Sequence, residues 1–502
     1  MTLSTLLSEK AKSIPDKICI TFENKKFTYY AIDDLVTNIA GGLKALGVEY
    51  SDKIAILMDN CPEYIVSYFA ILRAGGISVP INNFLTPDEI SYILNDSNCK
   101  YLIYNNAFSS HAEKIREIIP SLKAVDFSEI PKIPPIPPLL KAGEEGLNDD
   151  EVAVLLYTSG TTGFPKGAML THRNLLSNAE ASMKVMNVSG KDRILLFLPM
   201  FHSFSFTVCV ILPIYTGARI VLLKSVKPFS KVINSIFRDR ITLFVAVPTV
   251  YNVLSKKRMP FIIRCLFKLL MNIRACISGA AALPEDTIHA FEKRFNIPLI
   301  EGYGLTEASP VVAVNPVKGV RKPASVGPPV PGVEVAVVGE DGRKLPAGET
   351  GELIVKGANV MKGYFNKPEE TEAVLKDGWL YTGDLARIDE DGYIYIVDRK
   401  KDLIIVDGMN VYPREVEDFI LKNPSVEECA MVGIPDGRGS ETPILYIKKK
   451  EDAVIEESEI WNYLKGRIAQ FKTPRKIIFI DEFPKTATGK IKKTELRKHK
   501  IS

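Results

Sequence analysis

An apolar run that passes directly into a glycine- and hydroxyl-rich loop constrains the fold of this chain more than any other feature. The run covers residues 152–156, and residues 157–167 then contain four aliphatic hydroxyls, three glycines and one lysine. Glycines let backbone N–H groups approach phosphate oxygens, hydroxyls donate further hydrogen bonds, and a lysine adds positive charge. The pattern predicts a buried strand that leads into a phosphate-binding loop. It differs from the P-loop motif because Gly167, rather than Ser or Thr, follows Lys166.

Alternating helical and β-rich segments predict an α/β fold. The alternation runs through residues 1–150 and again from residue 152 to about residue 308, which favours mostly parallel strands. The predicted elements include the strands 54–58 and 101–104 and the helices 31–46 and 62–74. From residue 327 to residue 398, short strands joined by Asp–Gly turns predict antiparallel pairing. A smaller α+β unit of about a hundred residues follows residue 401.

The composition is that of a globular protein with more than one domain. With 502 residues, of which 46% are hydrophobic and 25% charged, the chain exceeds a single ordinary core. A net charge of +4 gives no reason to propose a nucleic-acid partner. The seven cysteines are scattered without CxxC pairs, which disfavours a zinc site or a disulfide framework. Because no apolar run reaches transmembrane length and the N-terminus lacks a signal-peptide core, a cytoplasmic protein is expected.

Four further motifs follow the loop along the chain. They are Glu-Gly-Tyr-Gly-Leu-Thr-Glu at 301–307, Tyr-Thr-Gly-Asp at 381–384, Asp-Arg-Lys-Lys-Asp at 398–402 and Pro-Lys-Thr-Ala-Thr-Gly-Lys at 484–490. In these motifs, their order and their spacing, the chain resembles the adenylate-forming superfamily of acyl-CoA synthetases, aryl-CoA ligases, luciferases and peptide-synthetase adenylation domains. Five matches in order argue against a glycine loop without function.

The resemblance implies a two-domain architecture. The expected large domain, residues 1–398, consists of α/β subdomains and a small β-barrel-like antiparallel region. Residues 399–402 are the expected hinge, with Lys401 as the hinge residue, and residues 403–502 the expected mobile α+β domain. Hinges of this kind are a few loop residues that absorb large φ/ψ changes.

The resemblance also implies an enzyme that activates a carboxylate with ATP and Mg²⁺ and transfers the acyl group to CoA. A carboxylate is a poor electrophile because its charge repels nucleophiles, whereas its mixed anhydride with AMP can be attacked by a thiol. The implied phosphate ligands are Thr158, Ser159, Gly160, Thr161, Thr162, Gly163 and Lys166. The implied nucleotide pocket comprises Gly279, Ala280, Ala281, Glu301, Gly302, Tyr303 and Gly304, with Asp384 and Arg399 at the ribose.

Two residues of the motif at 301–307 have implied roles in the reaction itself. Glu307 is the implied Mg²⁺ ligand, and the Thr306 hydroxyl is the implied contact to the α-phosphate. Tyr303 presents a flat ring between two glycines, which suits stacking on adenine. For the small residues 278–282, a tight helix-packing segment remains the alternative to a pocket wall.

Lys490 is the lysine implied to carry most of the adenylation rate. By charge pattern alone, a lysine in this basic tail is a solvated residue. The resemblance implies that Lys490 bridges the attacking carboxylate and the α-phosphate, and that it leaves the site before the thiol reaction. Gly408 is then the implied glycine beside the pantetheine arm of CoA.

His202 is the candidate residue at the acyl group. A lone histidine in an apolar stretch is more often a core residue. In the ligases that the chain resembles, this position lies beside the acyl carboxylate or gates its tunnel. Amino-acid-activating relatives typically have an aspartate here, so His202 favours an apolar acid without a free amine.

The segment 256–274 combines basic and large apolar side chains in a region without acidic residues. Such a segment suits a membrane interface, and a helix packed against the main domain with a basic edge is the alternative. Peripheral contact with the inner face of the membrane therefore stays open. Assembly as a homodimer also stays open.

The sequence thus predicts an ATP-dependent fatty-acyl-CoA ligase that acts on a medium- to long-chain fatty acid. An acyl-carrier-protein synthetase and an aryl-CoA ligase of the coumarate type are the enzymatic alternatives. A non-catalytic nucleotide-binding protein on the same fold is disfavoured, because the phosphate loop, Glu307, Asp384 and Lys490 are all present.

Overall fold

The computed structural model of the chain packs as two compact units. It describes residues 1–134, 148–158, 165–256, 271–406, 409–436, 440–451, 453–485 and 490–498. Unit one comprises Met1–Glu334 and Val355–Leu380, and unit two comprises Val335–Ile354 and Tyr381–Ser502. These units describe packing, so the predicted mobile division at residues 399–402 stays a prediction.

Helices and strands alternate along the described chain, as the sequence predicts. The helices are α1 (Leu3–Ser13), α2 (Tyr29–Ala45), α3 (Pro62–Arg73), α4 (Pro87–Asp96), α5 (Ser109–Ile118), α6 (His172–Met186), α7 (Ser203–Phe206), α8 (Leu212–Thr216), α9 (Phe229–Arg238), α10 (Pro248–Lys256), α11 (Glu285–Phe295), α12 (Pro368–Val374), α13 (Pro413–Ile420), α14 (Glu457–Leu464) and α15 (Lys493–Leu496). The strands are β1 (Ile18–Phe22), β2 (Lys25–Thr28), β3 (Lys53–Leu57), β4 (Ile77–Pro80), β5 (Cys99–Tyr104), β6 (Lys123–Asp126), β7 (Val152–Thr158), β8 (Lys166–Thr171), β9 (Arg193–Leu196), β10 (Arg219–Leu222), β11 (Leu243–Ala246), β12 (Ala275–Ser278), β13 (Leu299–Gly304), β14 (Val311–Val314), β15 (Val333–Val338), β16 (Gly351–Gly357), β17 (Gly363–Tyr364), β18 (Leu375–Lys376), β19 (Trp379–Ile388), β20 (Ile394–Arg399), β21 (Ile404–Val406), β22 (Met409–Val411), β23 (Val426–Pro435), β24 (Glu441–Lys449) and β25 (Lys476–Phe479).

Unit one is built on two large sheets. One has the strand order β14-β13-β12-β11-β9-β10-β1-β2, and the other has the order β17-β8-β7-β4-β3-β5-β6. The predicted parallel pairing is confirmed in β9 to β13, whereas β7 pairs antiparallel with β8. The predicted phosphate-binding loop therefore joins two antiparallel strands, unlike a P-loop, which leads into a helix.

Helix starts in unit one coincide with residues that cap the free N–H groups of a first turn. The Thr86 hydroxyl accepts from the Glu89 N–H, and the Glu89 carboxylate accepts from the Thr86 N–H, which is a capping box. Thr171 caps helix α6 in the same way by accepting from the Asn174 N–H. Helix α6 thus begins directly after strand β8, at the end of the β7–β8 ladder opposite the predicted phosphate-binding loop.

Unit two contains the end of the predicted antiparallel region and the predicted small domain. Strand β19 pairs antiparallel with β20, and Asp384 lies opposite Arg399 in this ladder. Strands β23, β24 and β25 form a second sheet, and helices α13 and α14 pack against it through a buried apolar cluster. The predicted α+β composition after residue 401 is confirmed.

The predicted Asp–Gly turns are confirmed by their backbone angles. Asp377 has φ +51° and Gly378 has φ +78°, which are the two positive φ values that a type I′ hairpin between β18 and β19 requires. Gly342 and Gly392 also have positive φ values. In the described residues, none of the helices combines the length and apolar character needed to cross a bilayer.

Candidate active site

The ends of the predicted phosphate-binding loop lie opposite each other at one edge of the seven-stranded sheet. Thr158 and Lys166 are partners in the β7–β8 ladder, and both are half-buried. The two residues that bound the loop are therefore neighbours across the ladder. The predicted ligands Ser159, Gly160, Thr161, Thr162 and Gly163 lie outside the described residues.

Lys166, Tyr364 and Glu307 form a polar cluster in unit one. The Lys166 ammonium lies 5.5 Å from the centroid of the Tyr364 ring, and the Tyr364 hydroxyl donates to Oε1 of Glu307 at 2.9 Å. Burial raises the pKa of Tyr364, and the charge of Glu307 raises it further. The Tyr364 hydroxyl therefore keeps its proton, and as a hydrogen-bond donor it fixes one carboxylate oxygen of Glu307.

The short 3₁₀ turn that carries Thr306 and Glu307 is held by hydrogen bonds from several other segments of unit one. The Thr306 and Ser203 hydroxyls lie 3.1 Å apart, and the Met361 N–H donates to the Glu307 carbonyl at 2.8 Å. Behind the turn, the Asn359 side-chain amide donates to the Ala308 carbonyl at 2.9 Å. The Asn178 side-chain amide also donates to the Ala308 carbonyl at 3.4 Å, and it donates to the Val311 carbonyl of strand β14 at 2.7 Å. Buried amides of this kind hold a loop rigidly because each has a defined partner.

The glycines on either side of Tyr303, and Gly279, are packed closely against other protein atoms. A Cβ at Gly304 would lie 2.1 Å from the Pro310 carbonyl oxygen, and a Cβ at Gly279 would lie 2.7 Å from the Phe204 ring. A Cβ at Gly302 would meet Val314 at 3.1 Å. Glycines that leave no room for a Cβ are typical of sites where backbone approaches a ligand or another backbone closely.

The predicted wall at residues 278–282 begins at the last residue of strand β12. Ala280 has φ +70°, a left-handed conformation that is uncommon for alanine, and Ala281 is exposed. The carboxylate of Glu301 is buried and accepts from the Leu283 N–H at 2.9 Å, so it holds the far end of this segment. The Ser278 hydroxyl is fully buried and makes no hydrogen bond to any described residue. An orphaned hydroxyl beside a strained backbone is a reason to expect a polar ligand here.

His202 lies at the start of a helical stretch. Its Nδ1 accepts from the Phe204 N–H at 3.4 Å, which caps helix α7, and its side chain is half-buried. The stretch continues through a π-helical segment, Thr207–Ile211, into helix α8. π-Helical turns inside helices frequently mark functional sites. The predicted contact between His202 and an acyl group stays a prediction.

Unit two contains a buried carboxylate at the implied ribose ligand. Asp384 is 2% exposed, and its Oδ1 accepts from the Arg399 Nε at 2.8 Å. The Arg399 side chain is 48% exposed, so one partner of this ion pair faces solvent. The Thr382 hydroxyl accepts from the Asp384 N–H at 3.1 Å and donates to the Leu353 carbonyl at 2.8 Å, which holds the strand that carries Asp384.

Lys490 lies close enough to Asp384 and Arg399 for their charges to act on it. Desolvation by the surrounding protein is the main cause that lowers the pKa of Lys490. The positive charges of Arg399 and Lys401 lower this pKa further, whereas the negative charge of Asp384 raises it. The residue nevertheless keeps an exposed surface, so water screens these charges. Lys490 thus lies within electrostatic range of the implied ribose ligand Asp384, and its implied role in adenylation stays a prediction.

The predicted hinge residue Lys401 lies in a 3₁₀ turn directly after strand β20. Burial lowers the pKa of Lys401, and the charge of Arg399 lowers it further, although the residue retains exposed surface. Gly408 and most of the basic apolar segment, residues 257–270, lie outside the described residues. The implied roles of Lys401 and Gly408 stay predictions.

The donor set around Glu307 fits a magnesium ion that is held jointly by protein and substrate. Mg²⁺ usually keeps several waters and binds through one or two carboxylates together with substrate phosphates. Glu307 offers one such carboxylate beside Lys166, a lysine that suits phosphate. Among the described residues, no group of three or more His, Cys, Asp or Glu side chains could hold a metal alone.

Four residues of this site were not predicted from the sequence. Ser203, Asn178, Asn359 and Tyr364 touch the turn of Thr306 and Glu307, although they lie far from it in the chain. The sequence contains a signal for Tyr364, because this residue ends the Val-Met-Lys-Gly-Tyr stretch at 360–364. It contains no signal for the two asparagines, because the role of a buried amide becomes apparent only from its hydrogen-bond partners in the folded chain.

Two protein-family models match most of the chain. The model described as AMP-binding enzyme matches residues 7–365, and the model described as AMP-binding enzyme C-terminal domain matches residues 415–490. The chain is 36% identical to a long-chain-fatty-acid–CoA ligase of Bacillus subtilis, over 99% of this chain and 94% of that protein. It is 34% identical to a feruloyl-CoA synthase of an Amycolatopsis species, over 97% of each chain.

A solved structure shares the fold along nearly the whole chain. It is an O-succinylbenzoate coenzyme A synthetase of Bacillus subtilis in complex with ATP and magnesium ion. The TM-score is 0.86 at 29% identity, with 98% of this chain and 99% of that chain covered. The predicted adenylate-forming fold is thereby confirmed.

Proposed function

Because the chain belongs to the AMP-binding enzyme family and is an AMP-forming acyl- or aryl-CoA ligase, we propose that its acid substrate is a medium- to long-chain fatty acid. A curated relative at 36% identity is named a long-chain-fatty-acid–CoA ligase, which supports this choice. The helix start at His202 supports it further, because the position offers no carboxylate to pair with a substrate ammonium.

In the first half-reaction, a carboxylate oxygen attacks the α-phosphorus of ATP, and pyrophosphate leaves as the bond to the β-phosphate breaks. The loop with Thr158 and Lys166 is assigned to the β- and γ-phosphates, and Thr306 to the α-phosphate. Mg²⁺, when bound at Glu307, neutralises charge on the departing pyrophosphate. Lys490 is assigned to the charge that builds between the carboxylate and the α-phosphate.

In the second half-reaction, the sulfur of CoA attacks the acyl carbonyl carbon, the C–O bond to phosphate breaks, and AMP leaves. Asp384 and Arg399 are assigned to the ribose throughout, because a carboxylate can accept from two neighbouring hydroxyls. Lys490 has no role in thiol attack, so we propose that rotation at Lys401 withdraws it and brings Gly408 beside the pantetheine arm.

The observation that carries this assignment is the proximity of Lys490 to Asp384 and Arg399 within unit two. Lys490 is exposed, but it lies within electrostatic range of the carboxylate implied in ribose binding. This supports the proposal that Lys490 supplies positive charge for the adenylation step.

Carboxylate-dependent exchange between pyrophosphate and ATP, measured for straight-chain acids from two carbons upward, tests the proposed substrate. We expect exchange to rise with chain length into the medium to long range. Absence of exchange with every aliphatic acid would overturn the fatty-acid assignment. Parallel assays with CoA and with holo acyl carrier protein as acceptor distinguish the two thiol acceptors.

An aryl-CoA ligase is the second candidate, since a relative at 34% identity is named a feruloyl-CoA synthase. The two candidates share all nucleotide contacts and differ in the acyl pocket. Pyrophosphate release with hydroxycinnamic acids that exceeds release with aliphatic acids would select the aryl-CoA ligase.

We also propose that the segment 256–274 attracts the protein to the inner face of the membrane, where fatty acids partition. Arg264 and Lys268 lie four residues apart among large apolar residues. When the protein is sedimented with anionic liposomes, we expect the wild type in the pellet and the Arg264→Glu/Lys268→Glu variant in the supernatant. Equal recovery of both proteins in the supernatant, at any salt concentration, would remove this proposal.

A further inference from the structure

Two hydrogen bonds in unit two span the predicted hinge. Asp398, on strand β20 before the hinge, accepts at its Oδ2 from the Arg414 N–H at 2.9 Å. The Arg414 guanidinium donates to the Ile396 carbonyl at 3.0 Å. Because Lys401 lies between strand β20 and helix α13 in the chain, rotation at Lys401 would have to break both contacts.

The same helix also holds the segment that carries Lys490. The Lys493 ammonium lies 2.7 Å from Oε1 of Glu417, and the two side chains are only 16% and 14% exposed. Oε1 of Glu417 accepts from the Met431 N–H at 2.7 Å as well, which keeps the carboxylate in place. Arg414 and Glu417 are one helical turn apart on α13, so the helix links strand β20 to Lys493.

Lys493 balances carboxylates on both sides of the predicted hinge. Burial raises the pKa of Asp398 and of Glu417, and the charge of Lys493 counteracts it in both. Burial lowers the pKa of Lys493, but the charges of Glu417 and Asp398 outweigh this effect and raise it. Without the ammonium, two buried carboxylates would repel each other, which is costly in a low-dielectric interior.

The short segment between Lys490 and Lys493 has little freedom to move independently. Ile491 pairs with Lys485, and the Lys492 N–H donates to the Pro484 carbonyl at 2.8 Å. The Lys492 side chain, by contrast, is exposed and pairs with Glu495, at 3.0 Å. A displacement at Lys493 is therefore transmitted to Lys490, whereas a change at the Lys492 side chain is not.

We propose that Lys493 is a positioning residue for the adenylation half-reaction. Lys493 contacts Glu417, and Arg414 on the same helix contacts strand β20, so the segment of Lys490 is linked to the strand that precedes the hinge. The contacts between Arg414 and strand β20 break before the thiol step. The inference rests on the proposed function, because it assigns Lys490 to adenylation alone.

The test separates the two half-reactions in the full-length protein. Lys493→Met keeps most of the side-chain volume but removes the charge, and Lys492→Met is the matched control. We expect Lys493→Met to lower pyrophosphate exchange about 10- to 100-fold, as displacing a catalytic group by about 1 Å does. The rate at which pre-formed acyl-adenylate reacts with CoA should stay within about twofold of the wild type, and Lys493→Arg should restore most of the exchange.

Three outcomes would overturn the proposal. They are unchanged exchange in Lys493→Met, an equal fall of both half-reactions, and an equally selective loss in Lys492→Met.

If Lys493→Met does not fold, Asp398→Asn decides, because it removes the carboxylate before the hinge and leaves the Lys493–Glu417 pair intact. A selective loss of exchange in Asp398→Asn supports the proposed link, and wild-type exchange refutes it. Wild-type protein that lacks exchange with any acid would instead refute the proposed function.

Discussion

Gly304→Ala should damage the turn of Thr306 and Glu307 much more than Gly302→Ala, although both glycines lie on strand β13 and face the same side. A Cβ at Gly304 would lie 2.1 Å from the Pro310 carbonyl oxygen, whereas a Cβ at Gly302 would lie 3.1 Å from a methyl group of Val314. Neither glycine has a positive φ, so backbone conformation alone permits alanine at both positions.

The structure sets the size of the effect. Contacts below 3.0 Å are essentially absent for real Cβ atoms, so the Pro310 carbonyl must move by about 0.9 Å. That carbonyl accepts from the Leu305 N–H at 3.0 Å, directly before Thr306. Overpacking of about 1–3 kcal/mol and a lost hydrogen bond of about 1 kcal/mol should together lower the free energy of unfolding by about 2–4 kcal/mol.

The effect on activity should be similar in free energy to the effect on stability, because a 100-fold loss of rate corresponds to about 2.7 kcal/mol. A shift of about 1 Å at Thr306 and Glu307 should slow pyrophosphate exchange on the order of 100-fold. At Gly302, the flexible Val314 side chain can yield by a few tenths of an ångström, so the rate should fall less than about fivefold. Exchange assays below the unfolding temperature of each variant separate the two effects. Equal activity of the two variants would refute the reasoning.

Three further predictions concern single side chains. Lys490→Ala should slow acyl-adenylate formation on the order of 100-fold and spare the reaction of pre-formed acyl-adenylate with CoA; full-speed adenylation would contradict the assignment. Tyr364→Phe removes a hydrogen bond to the Glu307 carboxylate worth about 1.5 kcal/mol, so about tenfold more Mg²⁺ should be needed for half-maximal exchange, and an unchanged Mg²⁺ titration would argue against it. Burial lowers the pKa of His172 from 6.5 to about 4, so the stability that neutral His172 contributes is present above pH 6.5 and about 3 kcal/mol of it is lost as the pH falls towards 4. His172→Asn, whose amide oxygen can still accept from the Leu3 N–H, should flatten the dependence of unfolding free energy on pH in that window; the same slope in both proteins would refute it.

Much of the fold could be predicted because its signals are local. The predicted helix 62–74 is Pro62–Arg73 in the structure, since proline fits the first turn and the apolar period continues to its end. The predicted Asp377–Gly378 hairpin follows from the two residues that tolerate positive φ. Strand β7 was predicted from a continuous apolar run, but its antiparallel partner β8 was not, because pairing direction depends on where the chain returns.

The sequence by itself determined which chemical groups are available and the order in which the chain presents them. The glycine-rich loop, Glu307, Asp384 and Lys490 could be assigned because each belongs to a short motif of neighbouring residues.

Only the tertiary structure decided which of these groups meet. Ser203 and Thr306 lie 3.1 Å apart although 103 positions separate them, and Tyr364 reaches Glu307 across 57 positions. The Lys493–Glu417 pair likewise joins the C-terminal segment to helix α13. Such contacts arise from the packing of sheets and helices against one another, and no local pattern of residues specifies that packing because its energy is shared by the whole core.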